Sequence, residues 1–379
     1  MDAWGLSGPA RFTGMGQYAE TLISGVARLS DDVHLIAYGA VDEPVPGWLP
    51  VSVEWRPASR TFHPKLAAID SRLRELPRLA AADRLDVFHA PAVHVRPSSP
   101  PVPRLRCPVV ATVHDVIPLA YYGSDLPARL RVFYRWNLAR AVRSSAVVTV
   151  SEDSRSQISA FAHVDPARIT VIPNAVDFEP NPDPNVLPSL DVKPPYVLYA
   201  GSYEPRKNLA GALRAFKVLV DEGRPEQLVA LVERTSGHAP AAHRLIEELG
   251  LAERVRLLDS LEKRDVRALY TLAGCLLFPS FAEGFGLPLV QAQACGTPVA
   301  ASDLGVLHEV AGEGVEYFDP ADPPGMARAL ARVLDRSRPE GRRAARLPAR
   351  YGVEHFVRAH LDLYARLVRR PAASLAKMA

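Results

Sequence analysis

Short apolar runs alternate with stretches of helical periodicity along most of the chain. In the first half, runs rich in β-branched residues predict strands at 33–38, 86–89, 109–113, 146–150 and 169–172. Further runs predict strands at 196–200, 228–232, 255–258, 275–278, 299–301 and 316–318. Strands that alternate with helices form βαβ units around a parallel sheet, and continuously apolar strands are covered on both faces. The pattern therefore predicts an α/β protein with two Rossmann-like domains.

Residues 178–195 separate the two series of strands. This segment is rich in proline and polar residues, a composition that favours a linker over a helix or a central strand. We therefore expect a first domain at 1–177, a linker at 178–195 and a second domain at 196–350.

The remaining residues, 351–379, start with a helical pattern at 353–368. One face of this helix carries Phe356, Ala359, Leu363 and Leu367. We expect the helix to cross back to the first domain and a loosely held tail to follow it.

The composition narrows the possible functions. A net charge of +3 on 379 residues and an aromatic fraction of 7 % do not indicate nucleic-acid binding. No run approaches the ~20 apolar residues of a membrane span, and the N-terminus lacks the pattern of a signal peptide, so we expect a soluble, cytoplasmic protein. Because Cys107, Cys275 and Cys295 show no metal-binding spacing, we expect buried cysteines without a disulfide or a structural metal. The oligomeric state stays open.

The first chemical motif follows the strand predicted at 196–200. Gly201 and Ser202 lead into Arg206 and Lys207, and Asn208 is suited to cap the next helix. Backbone donors at a helix N-terminus favour an anion, and two cations add charge-assisted bonds. The motif predicts a diphosphate site, although a solvated Arg-Lys pair would look the same.

The second motif follows the strand predicted at 275–278. Glu283 lies in a glycine-rich loop, Pro288 is suited to the first position of the next helix, and Gln291 is expected in its first turn. Both Glu283 and Gln291 would then face one ligand at the carboxyl edge of the sheet. A carboxylate there can accept bonds from sugar hydroxyls, and a capping or turn carboxylate is the alternative.

These motifs, together with two others, resemble the large family 4 of retaining glycosyltransferases. The segments that carry the resemblance are 206–208, 283–288, 294–299 and 172–177, and more weakly 13–18 and 113–118. The resemblance implies the GT-B fold, in which two Rossmann-like domains face each other across a cleft. It also implies transfer of a hexose-type sugar from a nucleotide-diphosphate donor to an acceptor, in polysaccharide or natural product biosynthesis.

The resemblance assigns roles to individual residues. Arg206 and Lys207 would contact the diphosphate, Glu283 the sugar hydroxyls, and His114 the transferred sugar. Asp115 would orient the loop of His114. The other residues implied in donor binding are Gly14, Gly16, Asn174, Ser202, Gly284, Phe285, Gly286, Leu287 and Gln291. A satisfied histidine at a strand end remains the alternative for His114, and a simple turn the alternative for Gly14 and Gly16.

The resemblance also implies a mechanism without a cofactor. The acceptor oxygen would attack on the face from which the diphosphate leaves, and an oxygen of the leaving phosphate would take the proton. Arg206, Lys207 and helix N-termini would stabilise the departing charge in place of a divalent ion, so no metal is expected.

Two positions depart from the family pattern. Gln291 stands where the family usually has a second glutamate for the donor ribose, and loss of that charge would weaken or alter nucleotide binding by about 1–3 kcal/mol. The first strand is also short. In the family pattern, the chain is already leaving this strand at the position where residues 1–5 stand. Either the chain start lies downstream of the biological one or the first sheet contains a stub, and we favour the former.

The acceptor is the main open point. Loops at 60–65 and 90–103 would contact the acceptor, but their composition does not identify it. The segment 128–145 is a basic amphipathic helix that could lie on the inner face of a membrane or pack on the first domain as a solvated helix. Two rival functions remain: a sugar-nucleotide epimerase or a phosphorylase on the same fold, and a non-catalytic nucleotide-sugar-binding module.

Overall fold

The computed structural model describes most of the chain, which divides into two units. The described residues are 1–4, 6, 11, 13–40, 44–58, 71–93, 101–232, 238–311, 314–336 and 347–369. Unit 1 comprises Met1–Ala175 and Ala349–Ala379, and unit 2 comprises Val176–Pro348. The expected tail at 370–379, the loop at 60–65 and the part of the other acceptor loop at 94–100 lie outside the described residues.

Unit 1 is built on parallel strands. Four strands pair in the order β3-β4-β5-β6, and β1 pairs with β2. The strands are β1 (Ile36–Ala40), β2 (Glu54–Ala58), β3 (Phe88–Ala90), β4 (Val109–Thr112), β5 (Ala146–Thr149) and β6 (Ile169–Val171).

The first three residues connect these two groups of strands. Tyr38 of β1 donates to the carbonyl of Met1 and accepts from Ala3, while the backbone N–H of Asp2 donates to His89 of β3, each at 2.9 Å. These three residues therefore extend the pairing from β1 to β3.

The described helices of unit 1 include one that follows unit 2 in sequence. They are α1 (Gly14–Leu29), α2 (Leu76–Ala82), α3 (Ile117–Ala120), α4 (Ala128–Ala141), α5 (Glu152–Ala162) and α13 (Val353–Val368). Helix α13 packs on α1 so closely that a Cβ at Gly25 would lie 2.4 Å from Val357. Phe356, Leu363 and Leu367 are buried on the predicted face. The prediction that this helix returns to the first domain is confirmed.

Unit 2 contains a six-stranded parallel sheet in the order β12-β11-β10-β7-β8-β9. The strands are β7 (Tyr196–Ala200), β8 (Gln227–Leu231), β9 (Val255–Leu258), β10 (Cys275–Phe278), β11 (Val299–Ser302) and β12 (Val315–Phe318). The helices are α6 (Val186–Ser189), α7 (Leu209–Asp221), α8 (Ala239–Glu248), α9 (Lys263–Leu272), α10 (Leu287–Ala294), α11 (Gly305–Ala311) and α12 (Pro323–Arg336). The strand order reverses between β7 and β10, as in a doubly wound dinucleotide-binding fold.

Several details differ from the prediction. Strand β2 was missed because Glu54, Arg56 and Pro57 interrupt its apolar character. The linker contains the short helix α6, which starts after Asn185. Cys107 is only partly buried, whereas Cys275 and Cys295 are buried as expected.

Candidate active site

The two chemical motifs of unit 2 lie at the point where the strand order reverses. Strand β7 runs into the loop that carries Arg206 and Lys207, and its neighbour β10 runs into the loop that carries Glu283. Both loops leave the carboxyl ends of adjacent parallel strands, so they meet at one edge of the sheet. This is the position where doubly wound sheets bind their ligands.

Three charged side chains form a compact cluster there. Lys207 donates from Nζ to Oε1 of Glu283 at 2.6 Å, and an Arg206 nitrogen lies 3.6 Å from Oε2 of the same carboxylate. Arg206 also donates to the carbonyl of Ala282 at 3.0 Å. The Lys207 ammonium lies 5.5 Å from the centre of the Phe278 ring, within range of a cation–π contact. The two motifs, which the sequence shows as separate segments, are thus in direct contact in the fold.

Burial sets the protonation states of the cluster. Burial alone would raise the pKa of Glu283, but the charges of Lys207 and Arg206 and the hydrogen bond from Lys207 hold that pKa below its ordinary value. Burial lowers the pKa of Lys207, and the attraction of Glu283 offsets this only in part. The carboxylate of Glu283 is thus ionised at neutral pH.

Asn208 joins three loops beneath the cluster. Its backbone has a φ of 57°, a left-handed conformation that asparagine tolerates, and its side-chain oxygen accepts from Gly211 at the start of α7. The side-chain nitrogen donates to the carbonyls of Pro279 and Pro320, at 3.1 and 2.8 Å. The sequence predicted the helix cap but not the bonds to the loops after β10 and β12.

Tyr199 fixes the loop of Arg206 from the other side, and the sequence analysis did not single it out. Its hydroxyl lies 3.2 Å from the carbonyl of Ser202 and 3.1 Å from that of Lys207. A Cβ at Gly201 would lie 2.7 Å from this hydroxyl, so the glycine is needed for the close approach. Ser202, which was predicted to bind the nucleotide sugar, accepts a hydrogen bond from the backbone N–H of Glu204 at 3.3 Å.

The glycine-rich loop of Glu283 ends at helix α10. Gly286 has a φ of 92°, and a Cβ there would lie 2.5 Å from Leu307, so this position requires glycine on both counts. Gly284 and Phe285 are buried in the loop, and Leu287 is the first residue of the helix. Because the helix begins at Leu287, one residue before the predicted Pro288, Gln291 lies in its second turn and not in the first.

The predicted residues His114 and Asp115 of unit 1 lie in the loop after β4. His114 follows β4, donates from Nε2 to the carbonyl of Pro91 at 2.8 Å, and packs edge-on against Tyr18 with ring centres 4.8 Å apart. Burial lowers the pKa of His114, which the bond to Pro91 and the charge of Asp115 oppose. Asp115 accepts from the backbone of Ile117 at 3.0 Å and so shapes the loop after His114.

Gly14 and Gly16 form the first turn of α1. Thr13 caps this helix by accepting from the backbone of Gly16 at 3.2 Å. Asn174 follows β6 in a buried position, and its side-chain oxygen has no hydrogen-bond partner among the described residues. The structure thus places Arg206, Lys207 and Glu283 with their loops in unit 2, and His114 and Asp115 with α1 in unit 1.

Helix α4 presents the basic surface that the sequence indicated. Arg129 and Arg135 are exposed, as are Val132 and Trp136 with 66 % and 40 % of their surface accessible. The opposite face packs into unit 1, where the Tyr134 hydroxyl donates to the carbonyl of Asp115 at 2.8 Å. Both features that the sequence left open, a packed face and a basic amphipathic surface, occur in the same helix.

The described residues contain no group of three or more histidine, cysteine, aspartate or glutamate side chains arranged to hold a metal ion. Among the helices of the described segments, none combines the length and the apolar character that a membrane span needs.

Two family models match consecutive parts of the chain. Residues 12–180 match Glycosyltransferase Family 4, and residues 188–350 match Glycosyl transferases group 1. The first match covers most of unit 1 and the second most of unit 2. Together they leave only short segments unmatched.

Relatives of known activity extend these matches. An O-antigen chain mannosyltransferase B from Escherichia coli is 29 % identical over 85 % of this chain and 87 % of its own length. The O-antigen chain mannosyltransferase RfbU from Salmonella typhimurium is 31 % identical over 61 % of this chain, a match that spans 62 % of that relative's length.

Solved structures share the fold at low identity. Sucrose-phosphate synthase from Thermosynechococcus elongatus superimposes with a TM-score of 0.73 at 18 % identity, over 94 % of each chain. Anabaena Alr3699/HepE, solved in complex with UDP and glucose, gives a TM-score of 0.67 at 19 % identity over 92 % of this chain and 95 % of its own. The parallel sheets, the strand order of unit 2 and both family matches agree: the chain belongs to the group 1 and family 4 glycosyltransferases, which have the GT-B fold.

Proposed function

We propose that the protein is a retaining glycosyltransferase that moves a hexose from a nucleotide-diphosphate donor to a glycan, lipid-linked saccharide or natural product. The observation that carries the proposal is the cluster of Arg206, Lys207 and Glu283 at the reversal point of the unit 2 sheet. Two fixed cations beside one ionised carboxylate leave the buried part of this cluster with net positive charge. Such a site is suited to a diphosphate.

The cluster offers separate groups to the two halves of a donor. Arg206 and Lys207 would contact the diphosphate, and they would stabilise the negative charge that grows on it as the sugar leaves. Glu283 would accept bonds from sugar hydroxyls, for which its ionised state is suited. Glu204, 3.2 Å from Arg206, is half exposed, and solvent therefore screens its opposing charge.

Retention of configuration is part of the proposal. The acceptor oxygen would attack on the face from which the diphosphate departs, and a phosphate oxygen would take the proton. The C–O bond to the acceptor forms as the C–O bond to the phosphate breaks, so no enzyme base is required. With Arg206 and Lys207 as fixed cations, we propose that the reaction needs no divalent metal.

The donor is proposed from the relatives. The Escherichia coli and Salmonella relatives are mannosyltransferases, and the Anabaena structure contains UDP and glucose. The two mannosyltransferase names and the glucose of the Anabaena complex all refer to a hexose, and that complex adds a nucleoside diphosphate, which together support a nucleotide-diphosphate hexose as the donor. We propose that the loop of Ser202 and the segment from Gly284 to Leu287 bind it. Gln291 would take one ribose bond through its carbonyl oxygen.

Residues of unit 1 are proposed to make donor contacts of their own. His114 is proposed to contact the transferred sugar through Nδ1, because Nε2 already donates to Pro91 and a neutral imidazole then leaves Nδ1 as an acceptor. Gly14 and Gly16 would present backbone N–H groups at the start of α1, and Asn174 would offer its unpaired oxygen.

A peripheral membrane contact is proposed for helix α4. Arg129 and Arg135 lie beside exposed Val132 and Trp136, and the segment 128–145 contains no acidic residue. A basic surface with an exposed tryptophan matches the headgroup region of an anionic bilayer, where a lipid-linked acceptor would be found.

The deciding experiment is calorimetry and thermal shift with UDP, GDP, ADP, dTDP and their hexose conjugates, without added metal and in the presence of EDTA. We expect one nucleotide sugar to bind, Arg206→Ala to abolish that binding, and Gln291→Glu to strengthen it by about 1–3 kcal/mol. The anomeric signal of the product, followed by NMR with the donor that binds, then tests retention.

Other outcomes would overturn specific parts of the proposal. Conversion of the donor sugar into its epimer in the absence of an acceptor would favour an epimerase. Tight binding without turnover over a broad panel of acceptors would favour a non-catalytic binding module. Absence of binding, even with Gln291→Glu, would remove the donor site from the proposal altogether.

A further inference from the structure

Five buried or partly buried polar side chains form one continuous hydrogen-bonded row in unit 1. Tyr364 and His360 of α13 lie at its two ends, and His89 of β3, Thr112 of β4 and Tyr18 of α1 lie between them. The distances are 2.6 Å from the Tyr364 hydroxyl to His89 Nδ1, 2.8 Å from His89 Nε2 to Thr112, 3.1 Å from Thr112 to Tyr18, and 2.7 Å from Tyr18 to His360 Nε2. We call this set the His-Tyr chain.

The direction of every bond in the His-Tyr chain follows from one carbonyl. Nδ1 of His360 lies 2.7 Å from the carbonyl oxygen of Phe356, which can only accept. His360 therefore carries its proton on Nδ1, and Nε2 of the neutral ring accepts from the Tyr18 hydroxyl. Burial keeps this ring neutral, because it lowers the pKa of His360 to about 4.

The remaining protons are then determined in turn. Since the Tyr18 hydroxyl donates its only proton to His360, the Thr112 hydroxyl must donate to Tyr18. Thr112 accordingly accepts from Nε2–H of His89, and Nδ1 of His89 accepts from Tyr364. Burial also lowers the pKa of His89 well below its ordinary value, so its ring is neutral as this order requires. Each hydroxyl and ring nitrogen of the row has one fixed role.

The His-Tyr chain reaches the loop of His114 at two points. Thr112 is the last residue of β4 and precedes His114 by two positions. The Tyr18 ring packs edge-on against the His114 ring. On the other side, the Pro91 carbonyl holds Nε2 of His114. The orientation of the imidazole thus depends on Pro91 and on the placement of Tyr18.

We propose that Tyr18 and His360 are positioning residues: the His-Tyr chain holds the Tyr18 ring in place, and this ring keeps His114 in the orientation in which Nε2–H donates to Pro91 and Nδ1 is available as an acceptor. The functional half of this inference, an effect on catalysis, rests on the proposed role of His114 in contacting the sugar. The structural half, which concerns only the orientation and protonation of the His114 ring, does not depend on that role. A helix that follows unit 2 in sequence would in this way determine the geometry of His114, which precedes unit 2.

The structural half is tested by NMR of the full chain with ¹⁵N-labelled histidine, where His114→Asn identifies the signals of His114. In the unaltered protein we expect the pattern of an Nε2–H tautomer. Tyr18→Phe keeps the aromatic ring but removes the two hydrogen bonds that hold it. The His114 ring should then bond less firmly to Pro91 and shift towards a mixture of both tautomers. Tyr38→Phe is the matched control, because it removes another buried tyrosine hydroxyl of unit 1, one that donates to Asp83 at 2.5 Å.

The functional half is tested by kinetics with the donor found above. We expect Tyr18→Phe to lower kcat about tenfold while the KM for the donor stays within about twofold, since the proposed diphosphate contacts lie in unit 2. His360→Leu should cost a similar factor, and the double variant should cost little more than either single one, because both cut the same row.

Each result decides one half of the inference. Unchanged His114 signals in Tyr18→Phe, or equal changes in Tyr38→Phe, would overturn the positioning role. A changed tautomer with unchanged kcat would overturn the catalytic consequence, and if His114→Asn also keeps full activity, the proposed role of His114 fails instead. Should Tyr18→Phe not fold, Thr112→Val cuts the row at the next bond and is read in the same way.

Discussion

The two units differ in how their candidate functional residues are assembled. In unit 2 the charged cluster comes from two loops, and each loop belongs to a motif of fewer than ten residues that is visible in the sequence. In unit 1 the His-Tyr chain joins positions as far apart as Tyr18 and His360, with a separation of 342 residues. A site built from local motifs can be predicted from sequence alone, whereas a row built from distant elements becomes visible only in the fold.

The composition of the units allows them to be studied separately. All four tryptophans, at positions 4, 48, 55 and 136, belong to unit 1. Tryptophan fluorescence therefore follows unit 1, while circular dichroism follows both units. The predictions below use this difference to test whether function resides in the cluster of unit 2 and pH sensitivity in unit 1.

The largest effect is expected for Lys207→Ala. Removal of a fixed cation from the departing diphosphate should lower kcat/KM by about 10²–10³-fold. Initial rates with the identified donor measure this. Lys217→Ala is the control, since Lys217 lies on the exposed side of α7 and pairs only with Asp221 among the contacts described here. Equal activity of the two variants would remove the cluster from the mechanism.

Unit 1 should lose stability in mild acid. The pKa of His360 is lowered to about 4 by burial, while in the unfolded chain it is about 6.5. Between these values the unfolded chain binds a proton that the folded chain does not, so stability falls as pH falls, by about 2 kcal/mol from pH 7.5 to pH 5. The groups that face His360 are Tyr18, His89 and Tyr364, and His89 acts in the same direction.

Urea unfolding followed by tryptophan fluorescence at the two pH values measures this loss. His360→Gln keeps a side-chain acceptor for Tyr18 but cannot titrate, and should show a smaller pH dependence. A pH dependence as large as that of the unaltered protein would show that other groups are responsible.

The two units contain N-caps that should differ in importance. Ser151 caps α5 of unit 1 by accepting from Ser154 at 3.0 Å. Asn208 makes the equivalent bond in unit 2 and also ties the loops of Pro279 and Pro320. Ser151→Ala should therefore cost about 1 kcal/mol and Asn208→Ala about 2–3 kcal/mol. Thermal unfolding followed by circular dichroism compares them, and equal losses would show that the loop bonds add nothing.

The smallest effect concerns the basic helix of unit 1. Arg135→Gln should weaken binding to phosphatidylcholine vesicles that contain phosphatidylglycerol by about fivefold, equivalent to roughly 1 kcal/mol for a basic residue near an anionic surface. Trp136→Ser should act in the same direction. Sedimentation with the vesicles measures both. Phe161→Ser alters another exposed aromatic residue of unit 1 and should have no effect; equal loss there would contradict the assignment to α4.

The sequence predicted the parts of the molecule whose signals are local. Strands β7, β9 and β10 and helix α13 begin and end where the apolar patterns indicated. Strand β2 was not predicted, because the prediction relied on continuously apolar runs. A strand at the edge of a sheet tolerates Glu54 and Pro57, which interrupt such a run. The hydrogen bonds from Asn208 and Tyr199 to neighbouring loops were not predicted either. Their acceptors are backbone carbonyls, which every residue has, so the sequence does not mark them.

The order of the units along the chain has a consequence for biosynthesis. Unit 2 is continuous from Val176 to Pro348, so a ribosome delivers all of it before any part of α13 emerges. Unit 1 begins first but cannot be completed until the last helix is translated, because Val357 and His360 fill its core against α1. During synthesis the first unit should thus remain incompletely folded and accessible to chaperones while the second is already folded. A nascent chain stalled before residue 353 would carry a finished unit 2 beside an unfinished unit 1.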